Sequence, residues 1–332
     1  MTFASKSVHK KLIMRFVTKG LIVFSMVFLL LIGAPPSYAW NDPTHRAIAI
    51  AALSSLPTHT QQNVLETLQN HPRYRQDFLQ LQPQDQTAIS AADWLIGQAA
   101  VWPDIARGFE HASFFRRDAL RERYHRGNWH YINFPIYLDA ADRQLNIPDP
   151  SVATDTDPNE PQNVLAAMNF IQAAMQNPDT KPSERGLWLA WALHLLADAH
   201  QPLHSSALFD TERWPRGDRG GNDQTLEEFN LHGFWDYVLL GQGGAKEIDA
   251  LAQRLAFKGE LGSQAVDVEA LLRESHELAI AVVYAPLLGQ IRAGQQIELN
   301  DAYKAQAVTA AQQQGALAVQ RTAQWLQAVF GE

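Results

Sequence analysis

Apolar residues recur at intervals of three and four along most of the chain from Trp40 onward, which is the spacing of one face of an α-helix. Alternating apolar and polar runs long enough to form a sheet are scarce. We therefore predict an all-α fold, organised as a single mainly helical domain. The predicted helices cover residues 44–55, 60–69, 87–100, 162–176, 184–200, 245–256, 265–290 and 300–330.

Two stretches interrupt the helical pattern and are predicted to be surface loops. Residues 146–163 contain four prolines among acidic and small residues, and residues 205–223 contain a Trp-Pro step and a Gly-Gly-Asn step. Glycine and proline disfavour the interior of a helix. Because candidate chemical groups fall on both sides of each stretch, neither is predicted to be a linker between domains.

The first 39 residues follow a different pattern. Five basic residues lead into an apolar stretch from Leu21 to Ala34, and the segment ends in Ser37-Tyr38-Ala39. This layout is typical of a cleavable secretory signal peptide. The apolar stretch has 14 residues, fewer than the roughly 20 that a membrane-spanning helix needs. We predict that residues 1–39 are removed on export and that residues 40–332 form the mature domain, without stable membrane association.

The net charge and the lack of cysteine limit how the chain could bind a nucleic acid or a metal ion. The formal net charge is −8, and loss of the five basic residues of the first segment brings it to −13 (−8 minus 5). Such a chain is not expected to hold nucleic acid through broad basic patches, so a phosphodiester partner needs local binding groups such as divalent cations. The absence of cysteine excludes disulfides and cysteine-ligated zinc. A metal would have to bind His, Asp, Glu or backbone atoms.

Two His-x-x-x-Asp spacings, His194 with Asp198 and His232 with Asp236, give the strongest chemical signal. Residues four apart project from one face of a helix. His204 follows a proline at which the first helix should end, so its side chain can turn back toward the same cavity. Apolar neighbours would bury both pairs, and unpaired buried polar groups are costly. Metal coordination is therefore preferred to a simple hydrogen-bonded pair.

Three further motifs complete the set: Trp40 with His45, Asp104 in Trp-Pro-Asp, and His130 in Trp-His-Tyr. Together with the helical pairs they resemble the trinuclear-zinc, single-strand-specific nucleases of the S-one/P-one type, which are related to bacterial zinc-dependent phospholipases C. The resemblance covers essentially all of residues 40–332. It implies the mainly helical fold of the phospholipase C/P-one nuclease type, with a zinc cluster at the base of a cleft.

The resemblance implies three bound Zn²⁺ ions and nine protein ligands. Trp40 would bind through its α-amino group and carbonyl, which requires a free terminus created by cleavage behind Ala39. The ligands are Trp40 and His45 for the first ion; Asp104, His130 and His194 for the second; Asp198 as the bridge between these two; and His204, His232 and Asp236 for the third.

The activity implied by the resemblance is zinc-dependent endonuclease cleavage of single-stranded DNA and RNA to 5′-phosphate products, with 3′-nucleotidase activity as a related reaction. Asp104 and Asp198 would hold the ions between which a water molecule is activated, and Arg107 would neutralise charge on the phosphate. His200, although it lies inside the ligand motif, is expected to orient a ligand or to cap the helix end.

The resemblance also implies substrate-binding residues. Tyr131 would provide the ring on which a base stacks, and Asn133 stands where the family commonly has an acidic residue that reads the base edge. Asn222, after a double glycine, matches a position near the substrate. The partners expected are single-stranded DNA, RNA or nucleotides, bound by a monomer. The lack of disulfides indicates a bacterial branch, and hence a periplasmic or secreted protein.

Two alternatives remain open from the sequence. A zinc-dependent phospholipase C would share the metals, but its last helical pair typically ends in Glu, whereas Asp236 ends it here. A non-catalytic periplasmic zinc-binding protein would leave Arg107 and Tyr131 without a role. The remaining histidines are expected in polar, exposed surroundings; they are His59, His71, His111, His125 and His276.

Overall fold

The structure is a computed structural model that describes residues 40–84, 89–107, 114–152, 160–262 and 265–331. The predicted signal segment, residues 1–39, and His111 lie outside the described residues. The described residues belong to one compact unit. None of the helices among them combines the length and the apolar character that crossing a membrane would require.

The prediction of an all-α fold is confirmed, since helices dominate the described residues. The α-helices are α1 Asp42–Ser54, α2 Thr58–Gln69, α3 Ala91–Ala106, α4 Phe114–Tyr124, α5 Val164–Gln176, α6 Pro182–Asp198, α7 Leu231–Tyr237, α8 Ala245–Leu255, α9 Val268–Leu278, α10 Leu288–Arg292 and α11 Asp301–Phe330. Shorter helical turns cover Tyr74–Leu79, Gly127–His130, Ala140–Leu145, Pro202–His204, Ala279–Tyr284 and Ala285–Leu287.

Helices α1 and α6 lie at the centre of the helical packing. Helix α1 packs against α3, α8 and α11, and α6 packs against α2, α3, α5 and α11. The second half of α6 is apolar on every side apart from its His and Asp, so Leu193, Leu195 and Leu196 are all buried. Burying each of these side chains contributes about 1.5–3 kcal/mol. The core thus fixes the helix that carries two of the predicted ligands.

Side-chain caps define where two helices that carry predicted ligands begin. The Asn41 side chain accepts a hydrogen bond from the Thr44 backbone N–H at 3.2 Å, at the start of α1. The Asn230 side chain accepts one from the Gly233 N–H at 2.7 Å, at the start of α7. These bonds satisfy amide groups that lack partners in the first turn of a helix. They set the helical register of His45 and of the second His-x-x-x-Asp pair.

The predicted loop over residues 205–223 is partly wrong, because it contains a strand. Strand β2, Ser206–Phe209, pairs in parallel with β1, Phe134–Tyr137, with Phe134 opposite Ser206. Both strands are only four residues long, too short to show a clear alternating pattern in the sequence. This pairing brings the segment after His130 next to the segment after His204.

One helix is missing from the prediction, and another changes its hydrogen-bond pattern. Helix α4 is not predicted, because six of its eleven residues are charged. The segment predicted as one helix over 265–290 is helical from Val268 onward, but its hydrogen-bond pattern changes after α9 at Ala279–Tyr284 and again at Ala285–Leu287, before α10. Pro286 lies in the second of these segments, where it cannot donate a backbone hydrogen bond.

Candidate metal centre

Three groups of buried His and Asp side chains have donor atoms that lie within 4.8 Å of one another, close enough to share metal ions. Elements far apart in sequence supply them: α1, α3, the turn before β1, α6, the turn after α6, and α7. The groups are His45, Asp104 and His194; His130, His194 and Asp198; and His204, His232 and Asp236. The structure therefore brings together eight of the nine residues predicted as ligands.

Asp198, at the end of α6, joins the first two groups. Its Oδ1 lies 3.1 Å from His45 Nε2, and its Oδ2 lies 3.1 Å from His130 Nδ1 and 3.2 Å from His194 Nε2. The carboxylate is fully buried. Each oxygen thus faces a different set of histidines, which is the arrangement a carboxylate needs to bridge two ions.

Among the His and Asp side chains, the donor atoms of His45 group with those of Asp104 and His194. That His45 shares an ion with Trp40 stays a prediction, because it depends on the main-chain amine of Trp40. The His45 and His194 rings stack with centroids 4.1 Å apart. Because the first two groups share His194 and meet at Asp198, they form one continuous cluster.

Buried polar atoms without hydrogen bonds concentrate in this cluster and in the third group. Within the described part of the chain, they include Nδ1 of His45, Nε2 of His130 and of His204, and one carboxylate oxygen each of Asp104 and Asp236. Leaving a buried donor or acceptor without a partner costs about 1–3 kcal/mol. So many orphaned atoms in one place fit a site built to coordinate metal ions, with nitrogen and oxygen ligands that suit zinc.

The charged groups around Asp198 keep its carboxylate ionised. Burial alone raises the pKa of Asp198, but the neighbouring His194 and His204 hold it well below its usual value. Burial lowers the pKa of His194, while Asp198 and Asp104 outweigh that effect and raise it to about 9. An ionised Asp198 is the form that binds cations. A metal ion would displace the proton of His194, because coordination needs the free lone pair of the ring nitrogen.

Backbone carbonyls orient three of the histidines. The Nδ1–H groups of His194, His204 and His232 donate to Ala100 O at 2.7 Å, His130 O at 2.6 Å and Gly220 O at 2.7 Å, respectively. A carbonyl can only accept, so it fixes the ring tautomer and leaves Nε2 as the lone-pair donor. The three Nε2 atoms are thereby prepared for metal binding.

Gln201 contacts a predicted ligand, although the sequence did not single it out. It is fully buried, its side-chain amide donates to Asp236 Oδ1 at 2.7 Å, and its carbonyl accepts from the Leu203 N–H at 2.6 Å. The first bond leaves Asp236 Oδ2 facing His232 Nε2, 3.7 Å away. Burial raises the pKa of Asp236 well above its usual value, although the bond from Gln201 opposes this. In the sequence, the one sign of this role is that Gln201 directly precedes the turn Pro202–His204.

Replacing Gln201 with Ala is expected to weaken binding of metal to the third group by about 10- to 100-fold, as is usual when a group that orients a metal ligand is lost. Titration of the metal-free protein with Zn²⁺ measures this directly. Gln69→Ala, at the end of α2, provides a matched control away from the groups. Equal zinc affinities for Gln201→Ala and wild type would contradict the orienting role.

The remaining predicted site residues lie around the groups. The Arg107 guanidinium contacts Asp104 Oδ1 at 3.1 Å and is partly exposed. Tyr131, which directly follows the predicted ligand His130, is 41% exposed, so its ring is accessible to a partner. Asn133 is half-buried. The Asn222 side-chain amide donates to the Arg219 carbonyl at 2.7 Å, within its own loop.

Trp40 is fully buried and its ring joins the main core. The next residue ties this end of the described chain to α7, because the Asn41 N–H donates to the Asp236 carbonyl at 3.2 Å. The Asn41 side chain also donates to the backbone carbonyls of Leu240 and Gly241. The backbone at Trp40 is thus held next to a helix that carries two predicted ligands.

His200 caps the end of α6 and does not join the three groups. Its Nδ1–H donates to Leu196 O at 2.7 Å, and Arg321 donates to its Nε2 at 3.3 Å. Burial, together with the nearby Arg321, lowers its pKa to about 3, so the ring is neutral. Both ring nitrogens are engaged, which matches the expectation that His200 stays off the metal.

The prediction that His71 is exposed is wrong. The residue is buried, and its ring packs 4.3 Å from Trp102 and 4.8 Å from Phe78, measured between ring centroids. Burial lowers its pKa to about 3. A histidine with polar neighbours in sequence can therefore belong to the core when the helices around it supply aromatic rings.

Comparison with models of protein families matches residues 40–331 to S1/P1 Nuclease. A search of curated proteins gives no match. The matched region begins at the residue that follows the predicted cleavage position and includes all three groups of His and Asp side chains.

Proposed function

The chain belongs to the S1/P1 nuclease family, and from this premise we propose that it is a zinc-dependent endonuclease that cleaves single-stranded DNA and RNA to 5′-phosphate products. The observation that carries the proposal is the meeting of His45, His130 and His194 around the buried Asp198 carboxylate. Cleavage of 3′-nucleotides by the same site is part of the proposal.

We propose that three zinc ions bind this donor set. Asp198 would bridge the two ions held by Trp40, His45, Asp104, His130 and His194, and the third would be held by His204, His232 and Asp236. Zinc supplies Lewis-acid chemistry: it lowers the pKa of a bound water to about 7 and polarises phosphoryl oxygens. The chain's own contribution is an oriented ligand set in which every His and Asp of the three groups is buried.

Arg107 is proposed to hold the phosphate. Its guanidinium is partly exposed while it contacts the Asp104 carboxylate at 3.1 Å, so it stands between the ligand cluster and the surface. Its planar fork of N–H donors suits two phosphate oxygens at once. This positive charge offsets the negative charge that gathers on the phosphate during cleavage.

Preference for single strands is proposed to come from Tyr131. Its ring follows the ligand His130 and is 41% exposed, so a base can stack on it only when that base is free of its own duplex partner. Asn133, which lies two residues further on, offers an amide to the base edge in place of a carboxylate. An amide presents both a donor and an acceptor, so it can pair with more than one base.

We also propose that the protein is exported and that residues 1–39 are cleaved off in the process. Removal of residues 1–39 in a bacterial host would release the protein to the periplasm or the medium as a monomer. It would also free the Trp40 α-amino group, which can coordinate only as a terminal amine. Secretion and activation would then be one event.

Cleavage assays on three substrates test the proposal. Protein that begins at Trp40 and is loaded with zinc is expected to cut single-stranded DNA, to cut the same sequence as a duplex far more slowly, and to leave phosphatidylcholine intact. A chelator should abolish the cutting, and added zinc should restore it. Mass spectrometry of the fragments should show 5′-phosphates.

The same assay separates the alternatives. Release of phosphocholine from phosphatidylcholine without cutting of DNA would favour a phospholipase C. Stoichiometric zinc binding without turnover on any of the three substrates would favour a non-catalytic zinc-binding protein. Either result would overturn the proposed function.

A further inference from the structure

A buried carboxylate outside the three groups holds together part of the segment between β2 and α7. Asp218 is fully buried, and its Oδ1 accepts hydrogen bonds from the backbone N–H groups of Leu208 at 2.9 Å and Gly221 at 3.1 Å. Its Oδ2 accepts from the Gln224 side-chain amide at 3.0 Å and from the Tyr284 hydroxyl at 2.9 Å. None of these partners is a predicted metal ligand, so metal coordination does not account for this carboxylate.

The backbone around Asp218 turns through a run of left-handed residues. We call residues 217–224 the glycine loop. Four of its residues have φ between 57° and 83°; they are Gly217, Arg219, Gly220 and Gly221. Residues with a side chain rarely adopt this region, and a backbone of this kind keeps its shape only where the surrounding contacts fix it. The Asp218 carboxylate supplies such contacts, because it bonds the loop to β2 and to itself.

The glycine loop supplies the carbonyl that orients His232. The Gly220 carbonyl accepts from His232 Nδ1–H at 2.7 Å, and the Gly221 carbonyl accepts from the His232 backbone N–H at 3.3 Å. A Cβ on Gly220 would collide with the Leu203 carbonyl oxygen and would lie 3.4 Å from His232 Nδ1. The loop backbone therefore lies directly against the histidine ring, and a shift of the loop would move the acceptor to which that ring is bonded.

One peptide group links Asp218 to His232. The Gly220 carbonyl and the Gly221 N–H belong to the same peptide bond, which is planar. Its N–H donates to Asp218 Oδ1 at 3.1 Å, and its oxygen accepts from His232 Nδ1–H at 2.7 Å. Because the two ends of a planar group cannot turn independently, the carboxylate sets the direction of the carbonyl. Hydrogen bonds in such a chain also polarise one another, which makes His232 Nε2 a stronger lone-pair donor.

We propose that Asp218 is a positioning residue for the third metal site and acts through the peptide group between residues 220 and 221. This inference rests on the proposed binding of zinc to His204, His232 and Asp236. Asp218 does not touch the ion in this account. It holds the carbonyl that fixes the His232 ring, while the Tyr284 hydroxyl holds the carboxylate in turn.

Release of zinc from the loaded protein tests the proposal. Zinc-loaded protein that begins at Trp40 is dialysed against buffers of graded free zinc, and the zinc left per chain is measured by elemental analysis. Asp218→Asn keeps the shape of the side chain but replaces an acceptor oxygen with an amide group that cannot accept. We expect this variant to lose one ion at a free-zinc concentration on the order of 10-fold higher than the wild type does. The other two ions should be released as in the wild type.

Two further variants and one altered background make the test specific. Asp142→Asn is the matched control, because Asp142 is also buried and accepts from the N–H groups of Asp139 and Thr211, neither of which is a predicted ligand. It should release zinc as the wild type does. Tyr284→Phe removes one donor to Asp218 and should shift the same single ion by about 2- to 10-fold. In a His232→Ala background, which should already lack the third ion, Asp218→Asn should leave release of the other two unchanged.

The outcomes separate this inference from the function on which it rests. If His232→Ala keeps as much zinc as the wild type at every free-zinc concentration, the proposed third zinc site fails, and the role of Asp218 with it. If His232→Ala loses one ion and Asp218→Asn releases its zinc as the wild type does, the role of Asp218 alone is refuted. Weaker binding of all three ions in Asp218→Asn would show general destabilisation and would equally refute it. If Asp218→Asn is not recovered as folded protein, wild-type zinc release from Tyr284→Phe overturns the inference.

Discussion

Replacing Asp198 with Asn is expected to lower hydrolysis of single-stranded DNA by several orders of magnitude. The substitution keeps the shape of the side chain but removes the charge from the group whose two oxygens face His45 on one side and His130 and His194 on the other. One change would therefore weaken two metal sites together. Initial rates with saturating zinc, measured beside the zinc content of the variant, test this expectation.

His200→Ala provides the matched comparison, because His200 lies two residues from Asp198 and is equally buried. It caps α6 and contacts Arg321, so its loss should disturb the ligands only through the backbone. We expect a loss of about 10- to 100-fold, the usual effect of removing a group that supports a ligand. If the two variants have the same rate and the same zinc content, Asp198 is not a bridging ligand.

The second large effect on activity is expected when the N-terminus is extended beyond Trp40. Protein that carries even one residue before Trp40 should have little activity, because the nitrogen of residue 40 would then be an amide without a lone pair to donate. Trp40 is fully buried and the next residue is hydrogen-bonded to Asp236, so the backbone at this point cannot move aside without breaking packed structure. Removal of the extra residue by a protease, followed by zinc, should restore hydrolysis.

The zinc content of the extended form makes this prediction specific. The third group, His204, His232 and Asp236, does not use the terminus and should still fill. The extended form is therefore expected to keep part of its zinc while losing turnover. Full activity in an extended form that mass spectrometry shows to be intact would refute the role of Trp40 and leave the other ligands unaffected.

The helical part of the fold was predictable because its signal is local. The spacing of apolar residues located α6 and α11, and the His-x-x-x-Asp spacing placed two predicted ligands on one face of α6 and two on α7. The strands β1 and β2 were missed, because a run of four residues is too short to show an alternation of apolar and polar side chains. Their pairing depends on segments about 70 positions apart, as for Phe134 and Ser206.

The sequence predicted which His and Asp residues come together, but it did not predict the contacts that orient them. The motifs named every residue of the three groups, whereas the roles of Gln201 and of the Ala100 carbonyl depend on contacts between separate elements. A glutamine or a backbone carbonyl has no distinctive spacing in a sequence.

Zinc stoichiometry of the processed protein tests the central claim most directly. Protein purified with Trp40 as its first residue, and dialysed against zinc-free buffer, should contain close to three zinc ions per chain by elemental analysis. A value of three, lost with a chelator together with single-strand cleavage, is the result that the buried ligand groups predict. A value near zero in protein that still cleaves single-stranded DNA would contradict it.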